Sequence, residues 1–145
     1  MTLADKFNVE ELIVGNIPFE ADLLKYLTEF ATERSITVGT ISLIGAVKEA
    51  KLLFYDQSRK IYNPVEGLDG PFEITSGIGN ISLLEEKVFV HLHLTLSDAN
   101  GRVFGGHLSD GTIMFAGEFS IYKLGGKQLK RRFDETTGLN LWQDE

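Results

Sequence analysis

The stretch KVFVHLHLTLSDANGRVFGGHL, residues 87–108, contains a clear strand, a turn and the start of a second strand. In its first half, apolar side chains take every second position and point to one face: Val88, Val90, Leu92, Leu94 and Leu96. The other face carries Phe89, His91, His93, Thr95 and Ser97. The alternation predicts a strand whose leucine face lies in the core.

All three histidines of the chain lie in this stretch. On an extended strand His91 and His93 project side by side, with Cα atoms about 6.8 Å apart. Two imidazoles at that separation can bind one ion through metal–nitrogen bonds of about 2.1 Å. His107, on the next strand, is the candidate third ligand. The alternative is a solvated strand face, because histidine pairs of this spacing also occur without a metal.

The length of the intervening turn determines where His107 lies. A four-residue loop would place His107 on the leucine face and exclude a three-histidine cluster. It would also move Phe104 and Leu108 out of the core, at a cost of about 1.5 to 3 kcal/mol for each side chain. A loop of odd length, or a bulge at one of the nearby glycines, avoids that cost and predicts His107 beside His91 and His93.

The following segment, residues 113–122, also alternates. We expect its core face to consist of Ile113, Phe115, Phe119 and Ile121, opposite Met114, Ala116, Glu118, Ser120 and Tyr122. Glu118 then shares the histidine face. A carboxylate there could bind the metal, orient an imidazole or act as general base toward a metal-bound water, and a purely structural role is the alternative.

The rest of the chain predicts one α+β domain over residues 1–145, with its core at about 8–124. Val9–Val14 resembles a short strand, and the apolar stripe after Pro18 predicts one amphipathic helix: Leu23, Leu24, Leu27, Phe30 and Ala31. Glycine-punctuated, β-branched sequence then predicts strands to about Leu124. For residues 125–145 we expect a final strand plus a tail.

Composition narrows the possible functions. No apolar run approaches the ~20 residues of a membrane helix, and neither a secretory signal nor a cysteine is present, so we expect a cytoplasmic protein outside the membrane. A net charge of −7 argues against sequence-independent binding to nucleic acid. The basic cluster Lys127, Lys130, Arg131 and Arg132 is interpreted as a solvated strand edge or an oligomer contact, with a phosphate site as the alternative.

Three segments in order, PFEITSGIGNIS (71–82), VHLHLTLSDANGRVFGGHL (90–108) and GTIMFAGEFSIY (111–122), resemble the motifs of the PPC domain, which is named for plants and prokaryotes and often called a PD1-like DNA-binding domain. The resemblance covers most of the chain. It implies a compact domain with a mostly antiparallel, strongly bent sheet, and a homotrimer. Plant members add an AT-hook, which these residues do not contain.

Acetolactate decarboxylase shares the fold of that family, and its zinc is bound by an HxH pair and a third histidine. The resemblance therefore implies zinc at His91, His93 and His107. Two functions remain open: a trimeric DNA-binding or regulatory module, and a small zinc-dependent lyase or hydrolase acting on a small molecule. One helix covers too little of a sheet for both faces to be buried, so we expect neighbouring copies to cover the rest, and the resemblance implies threefold assembly.

Overall fold

The structure, a computed structural model, describes residues 4–143. In chain order the elements of this part are β1 (Asn8–Ile17), α1 (Leu23–Glu33), β2 (Gly39–Glu49), β3 (Leu52–Asp56), β4 (Ile61–Pro64), β5 (Phe72–Leu84), β6 (Lys87–Ser97), β7 (Val103–Leu108), β8 (Ile113–Gly125), β9 (Lys130–Asp134) and β10 (Leu139–Trp142). The fold is a compact single domain of class α+β, as predicted.

All strands join one mostly antiparallel sheet. Its main path runs β1-β8-β2-β5-β6-β7-β3-β4. The hairpin of β9 and β10 attaches beside the end of β5, where β9 pairs in parallel through Leu83 and Leu84. The C-terminal segment thus contains two strands that pack on this chain, where we expected one strand and a tail.

Helix α1 covers one face of the sheet. Asp22 caps its N-terminus, because the carboxylate accepts a hydrogen bond from the backbone N–H of Lys25. The predicted apolar stripe is confirmed: Leu23, Leu27 and Ala31 are fully buried in the core cluster. The helix has 11 residues, and within the described residues no helix is long and apolar enough to cross a membrane.

The opposite face of the sheet is exposed and partly apolar. Strand register aligns its residues in rows across β1, β8, β2, β5 and β6. We call this the open face; its large apolar members, between 43% and 73% exposed, are Leu12, Val14, Ile44, Ile78 and Tyr122. His91 and His93 lie at the ends of two of these rows.

The predicted alternation of β8 is wrong at its start. Met114 is fully buried, whereas Phe115 is 58% exposed. Ala46 and Val47, adjacent on β2, pair with Ala116 and Met114, so Phe115 is an extra residue of β8, and this β-bulge reverses which residues of β8 face the core. Beyond that point Phe119 and Ile121 are buried as predicted.

Candidate metal centre

The turn between β6 and β7 brings the third histidine into place. Ser97 pairs with Val103, so the loop has five residues, and His93 pairs directly with His107. The Asp98 carboxylate stabilises the loop by accepting hydrogen bonds from the backbone N–H groups of Asn100 and Arg102, each at 2.9 Å. The prediction of an odd-length loop is confirmed, and so is the burial of Leu108.

The three imidazoles converge on one point. His91 Nε2 lies 3.2 Å from His93 Nε2, and His107 Nδ1 lies 3.4 Å from the same atom. Nitrogens bound at about 2.0–2.1 Å to a tetrahedral ion lie about 3.3–3.4 Å from one another. These two spacings match that geometry, and all three ligand nitrogens lie within 4.8 Å of one another, so the three histidines could hold one metal ion.

Two of the histidines are neutral at physiological pH. The pKa of His91 and that of His107 are each lowered to about 4, mainly by burial and further by neighbouring cationic groups. These neighbours are the other histidines and Arg131. An imidazole must be unprotonated to bind a metal, so the environment prepares both rings for that role.

Arg131 lies behind His91, which the sequence interpretation missed. The sequence predicts a solvated strand edge or an oligomer contact for Arg131, with a phosphate site as the alternative, but the residue is only 9% exposed within its own chain. Its Nε donates to Ser82 Oγ at 2.9 Å, Nη2 donates to Asn80 Oδ1 at 2.9 Å, and Nη1 donates to the Asn140 carbonyl at 3.0 Å. Nη2 also lies 3.4 Å from His91 Nδ1.

The location of Arg131 has a local cause. Because β9 runs beside β5, alternate side chains of β9 point toward the sheet, and Arg131 shares this side with buried Leu129. Arg132 points the other way and is exposed. In the sequence, the two-residue spacing between Leu129 and Arg131 indicates that both side chains lie on the same side of a strand. The basic neighbours Lys130 and Arg132 make this spacing hard to recognise.

Tyr62 on β4 forms a second wall that sequence reasoning did not find. Its ring centroid lies 4.9 Å from that of His107 and 4.9 Å from that of Tyr55. Burial raises the pKa of the Tyr62 hydroxyl, so this group is neutral near pH 7. Tyr62 reaches the site because β4 pairs with β3, and β3 pairs with β7, the strand of His107. Local sequence patterns do not predict these pairings.

Glu118 is on the histidine face, but it does not reach the histidines within the chain. It lies on β8, and β2 and β5 separate β8 from β6. Neighbouring strands are about 4.8 Å apart, so Glu118 lies about 14 Å away across the sheet. Among the His, Cys, Asp and Glu residues that the structure describes, the group that lies close enough together to hold a metal ion is His91, His93 and His107.

Three solved structures are similar to this chain over nearly its whole length. A metal-containing protein, AF0104, from Archaeoglobus fulgidus is 37% identical with a TM-score of 0.92, over 99% of this chain and 100% of the other. A plant- and prokaryote-conserved (PPC) protein from Pyrococcus horikoshii is 30% identical with a TM-score of 0.92, over 99% of both chains. A candidate DNA-binding protein from Bacteroides thetaiotaomicron is 28% identical with a TM-score of 0.84, over 95% and 96%.

A curated relative is much longer than this chain. The bifunctional protein GlmU from Synechococcus sp. is 34% identical over 95 residues, which are 65% of this chain but 14% of that protein. The sequence profile of the Plants and Prokaryotes Conserved (PCC) domain matches residues 4–125, which include all three histidines. The chain belongs to the PCC domain family, the family named PPC in the sequence comparison above.

Proposed function

We propose that this protein is a homotrimeric, zinc-binding member of the PCC family, in which His91, His93 and His107 hold the ion and leave one coordination position for a small ligand. The observation that carries the proposal is the spacing of the three nitrogens, 3.2 and 3.4 Å from His93 Nε2. The relative from Archaeoglobus fulgidus, described as metal-containing, supports it.

The donor set supports zinc and an open centre. Imidazole nitrogen is a common zinc ligand, and sites with three protein ligands differ from closed four-ligand structural sites in that they bind water or substrate. Three neutral imidazoles leave the ion its full double positive charge, which would polarise an oxygen ligand. Within the chain, His91 and His107 supply their nitrogens from half-buried positions, and exposed His93 supplies the third.

Elemental analysis of purified protein tests the metal. After loading with zinc and dialysis at neutral pH, we expect one zinc per chain. His93→Ala should abolish this binding while the sheet stays folded, because the His93 side chain is exposed. Thr95→Ala is the matched control: Thr95 is the next exposed position on the same face of β6, and its loss should leave zinc content unchanged. Equal zinc in wild type and His93→Ala would reject the site.

The open face supports trimerisation. Exposed apolar patches this large on one face usually mark an interaction surface. Leu12, Val14, Ile44 and Ile78 all lie on it, each more than half exposed. Closed threefold assembly would bury them against neighbouring copies.

DNA binding is a second candidate function, favoured by two solved structures. The protein from Bacteroides thetaiotaomicron and one from Ralstonia eutropha, 26% identical with a TM-score of 0.78, are both described as candidate DNA-binding proteins. The charge of this chain opposes it: the net charge is −7, Arg131 is buried, and Lys130 pairs with Glu86 at 2.8 Å.

Fluorescence anisotropy with duplex DNA of arbitrary sequence tests whether this protein binds DNA. We expect negligible binding at physiological salt, and no effect of replacing Lys130 and Arg132 by alanine; Arg131 is kept because it is buried. Sub-micromolar affinity that falls steeply with salt and is lost in this double variant would establish the DNA-binding function instead.

An enzymatic role as a zinc-dependent lyase or hydrolase is the alternative use of the same centre. Such a reaction needs a group that accepts or donates a proton close to the metal. Glu118, the candidate from the sequence, lies on the third strand from β6 in the same chain, about 14 Å away across the sheet. The geometry therefore supports ligand binding more than catalysis.

A further inference from the structure

The guanidinium of Arg131 is held in a fixed position beside His91. Each of its three nitrogens donates a hydrogen bond of 2.9 or 3.0 Å to a neutral oxygen, which belongs to Ser82, Asn80 or the Asn140 carbonyl. The guanidinium carbon also lies 5.1 and 5.3 Å from the ring centroids of Phe89 and Trp142. Because the residue is only 9% exposed, it cannot turn away from His91 without breaking several of these contacts.

The contact between Arg131 and His91 favours one tautomer of the imidazole. Nη2 of Arg131 lies 3.4 Å from Nδ1 of His91. A guanidinium donates hydrogen bonds and accepts none, so Nδ1 can take part in this contact only as an acceptor, without a proton. A doubly protonated ring would place an N–H group and a positive charge against the guanidinium. A neutral imidazole with an unprotonated Nδ1 carries its proton on Nε2.

Nε2 of His91 is the nitrogen that faces the position of the ion. It lies 3.2 Å from Nε2 of His93, so its N–H can donate to that ring in the metal-free protein. The contact with His93 and the contact with Arg131 therefore stabilise the same tautomer. A metal ion has the opposite requirement, because it binds the lone pair of an unprotonated nitrogen.

Metal binding changes the contact between His91 and Arg131 from favourable to unfavourable. When Nε2 binds the ion, it releases its proton to solvent, and Nδ1 takes up a proton from solvent, so the ring stays neutral. The new Nδ1–H then points at an N–H of Arg131. In most metal sites the second ring nitrogen instead donates to a carboxylate, a carbonyl or water. The charge of the guanidinium also repels a divalent ion.

We propose that Arg131 is a positioning residue that holds His91 in the tautomer protonated on Nε2 and thereby weakens metal binding by the three histidines. The inference rests on the proposed function for its effect on the metal, but the tautomer is a property of the metal-free protein. It assigns control over the affinity for the ion to a residue outside the region matched by the family profile, residues 4–125. Arg131 thus makes the ion easier to exchange than three histidines alone would.

NMR of metal-free protein with isotope-labelled histidine tests the tautomer at neutral pH, because long-range proton–nitrogen correlation distinguishes protonated from unprotonated ring nitrogens. In the wild type, His91 should carry its proton on Nε2. Arg131→Gln offers an amide oxygen that can accept from Nδ1–H, so the other tautomer should become populated. Arg131→Lys keeps a charged donor and should keep the wild-type tautomer. A wild-type His91 protonated on Nδ1 would overturn the inference without any variant.

Zinc affinity, measured by competition with a chromophoric chelator, tests the consequence. Arg131→Gln should bind zinc about tenfold to a hundredfold more tightly than the wild type, which is the size of effect expected for a group that contacts a metal ligand. Arg131→Lys should bind zinc like the wild type. Arg132→Gln is the matched control, because it removes the same charge from the next, exposed residue of β9. It should change neither the tautomer nor the affinity.

The outcomes separate this inference from the proposed metal site. Zinc bound by folded Arg131→Gln no more tightly than by the wild type would overturn the inference and leave the metal site intact. Zinc bound by neither protein would reject the metal site and this inference with it. Circular dichroism identifies a variant that does not fold, in which case the tautomer of the wild type decides alone.

Discussion

His91 and His107 combine partial burial with a position next to positive charge, and this combination determines how they respond to pH. Burial is the larger influence on both, and each has a pKa of about 4 instead of 6.5. In the unfolded chain the same residues take up protons near pH 6.5. The folded protein therefore binds fewer protons than the unfolded chain between these values.

The first prediction concerns the stability of the metal-free protein. As pH falls from about 6.5 to about 4, the unfolded state gains protons that the folded state does not, so the free energy of unfolding should decrease. Above about pH 6.5 this contribution should be fully present. Urea unfolding across this pH range measures it. His107→Gln should reduce the pH dependence, and an unchanged slope would show that His107 titrates normally in the fold.

At the scale of elements, close contact between β5 and β6 positions the histidine strand. Gly79 pairs with Leu92, between the partners of His91 and His93. A Cβ at position 79 would overlap the carbonyl oxygen of His91 and lie 2.8 Å from the Cα of Leu92. The two strands can therefore approach closely only because residue 79 has no side chain.

Gly79→Ala should consequently destabilise the protein by about 3 kcal/mol, because backbone atoms of β6 would have to move. It should also weaken zinc binding, since the displaced backbone carries His91. Gly101→Ala is the comparison: φ at Gly101 is +74° but its surroundings are open, so only about 1 to 2 kcal/mol is expected. Chemical denaturation gives both values. Equal effects of the two substitutions would contradict the close-contact explanation.

The same elements show how far the sequence predicts this structure. Strict alternation on β6 and the cost of exposing Phe104 and Leu108 were sufficient to predict the face on which His107 lies, and with it the three-histidine cluster. Local alternation could not predict the reversal at Met114 and Phe115, because its cause is a β-bulge at Phe115, where β8 pairs with β2, a strand far away in the sequence. Arg131 and Tyr62 were missed for a related reason: pairing with β5 and β3 brings them to the site.

At the level of the whole molecule, the single helix covers one face of the sheet and leaves apolar residues of the open face exposed. The helix side chains of Leu23, Leu27 and Ala31 are fully buried against one face, while the open face keeps Val14 73% and Ile78 66% exposed. Burial of apolar surface is worth about 25 cal/mol per Å², so a second layer formed by other copies would be stabilising.

We therefore expect light scattering to give a mass of about 48 kDa, three times the 16.1 kDa of one chain. Val14→Asp should shift the protein toward the monomer, because a carboxylate would be buried in the contact. Phe54→Asp is the control, since Phe54 is similarly exposed, at 67%, on β3 near the opposite edge of the sheet. A wild-type monomer at micromolar concentration would refute the trimer.

A crystal structure of zinc-loaded protein, with anomalous data at the zinc absorption edge, tests the three-histidine zinc site directly. We expect one anomalous peak per chain, about 2.0–2.1 Å from His91 Nε2, His93 Nε2 and His107 Nδ1, with a fourth position outside the protein ligands. A zinc-soaked crystal with no peak there, or with His107 turned away from the other two imidazoles, would contradict it.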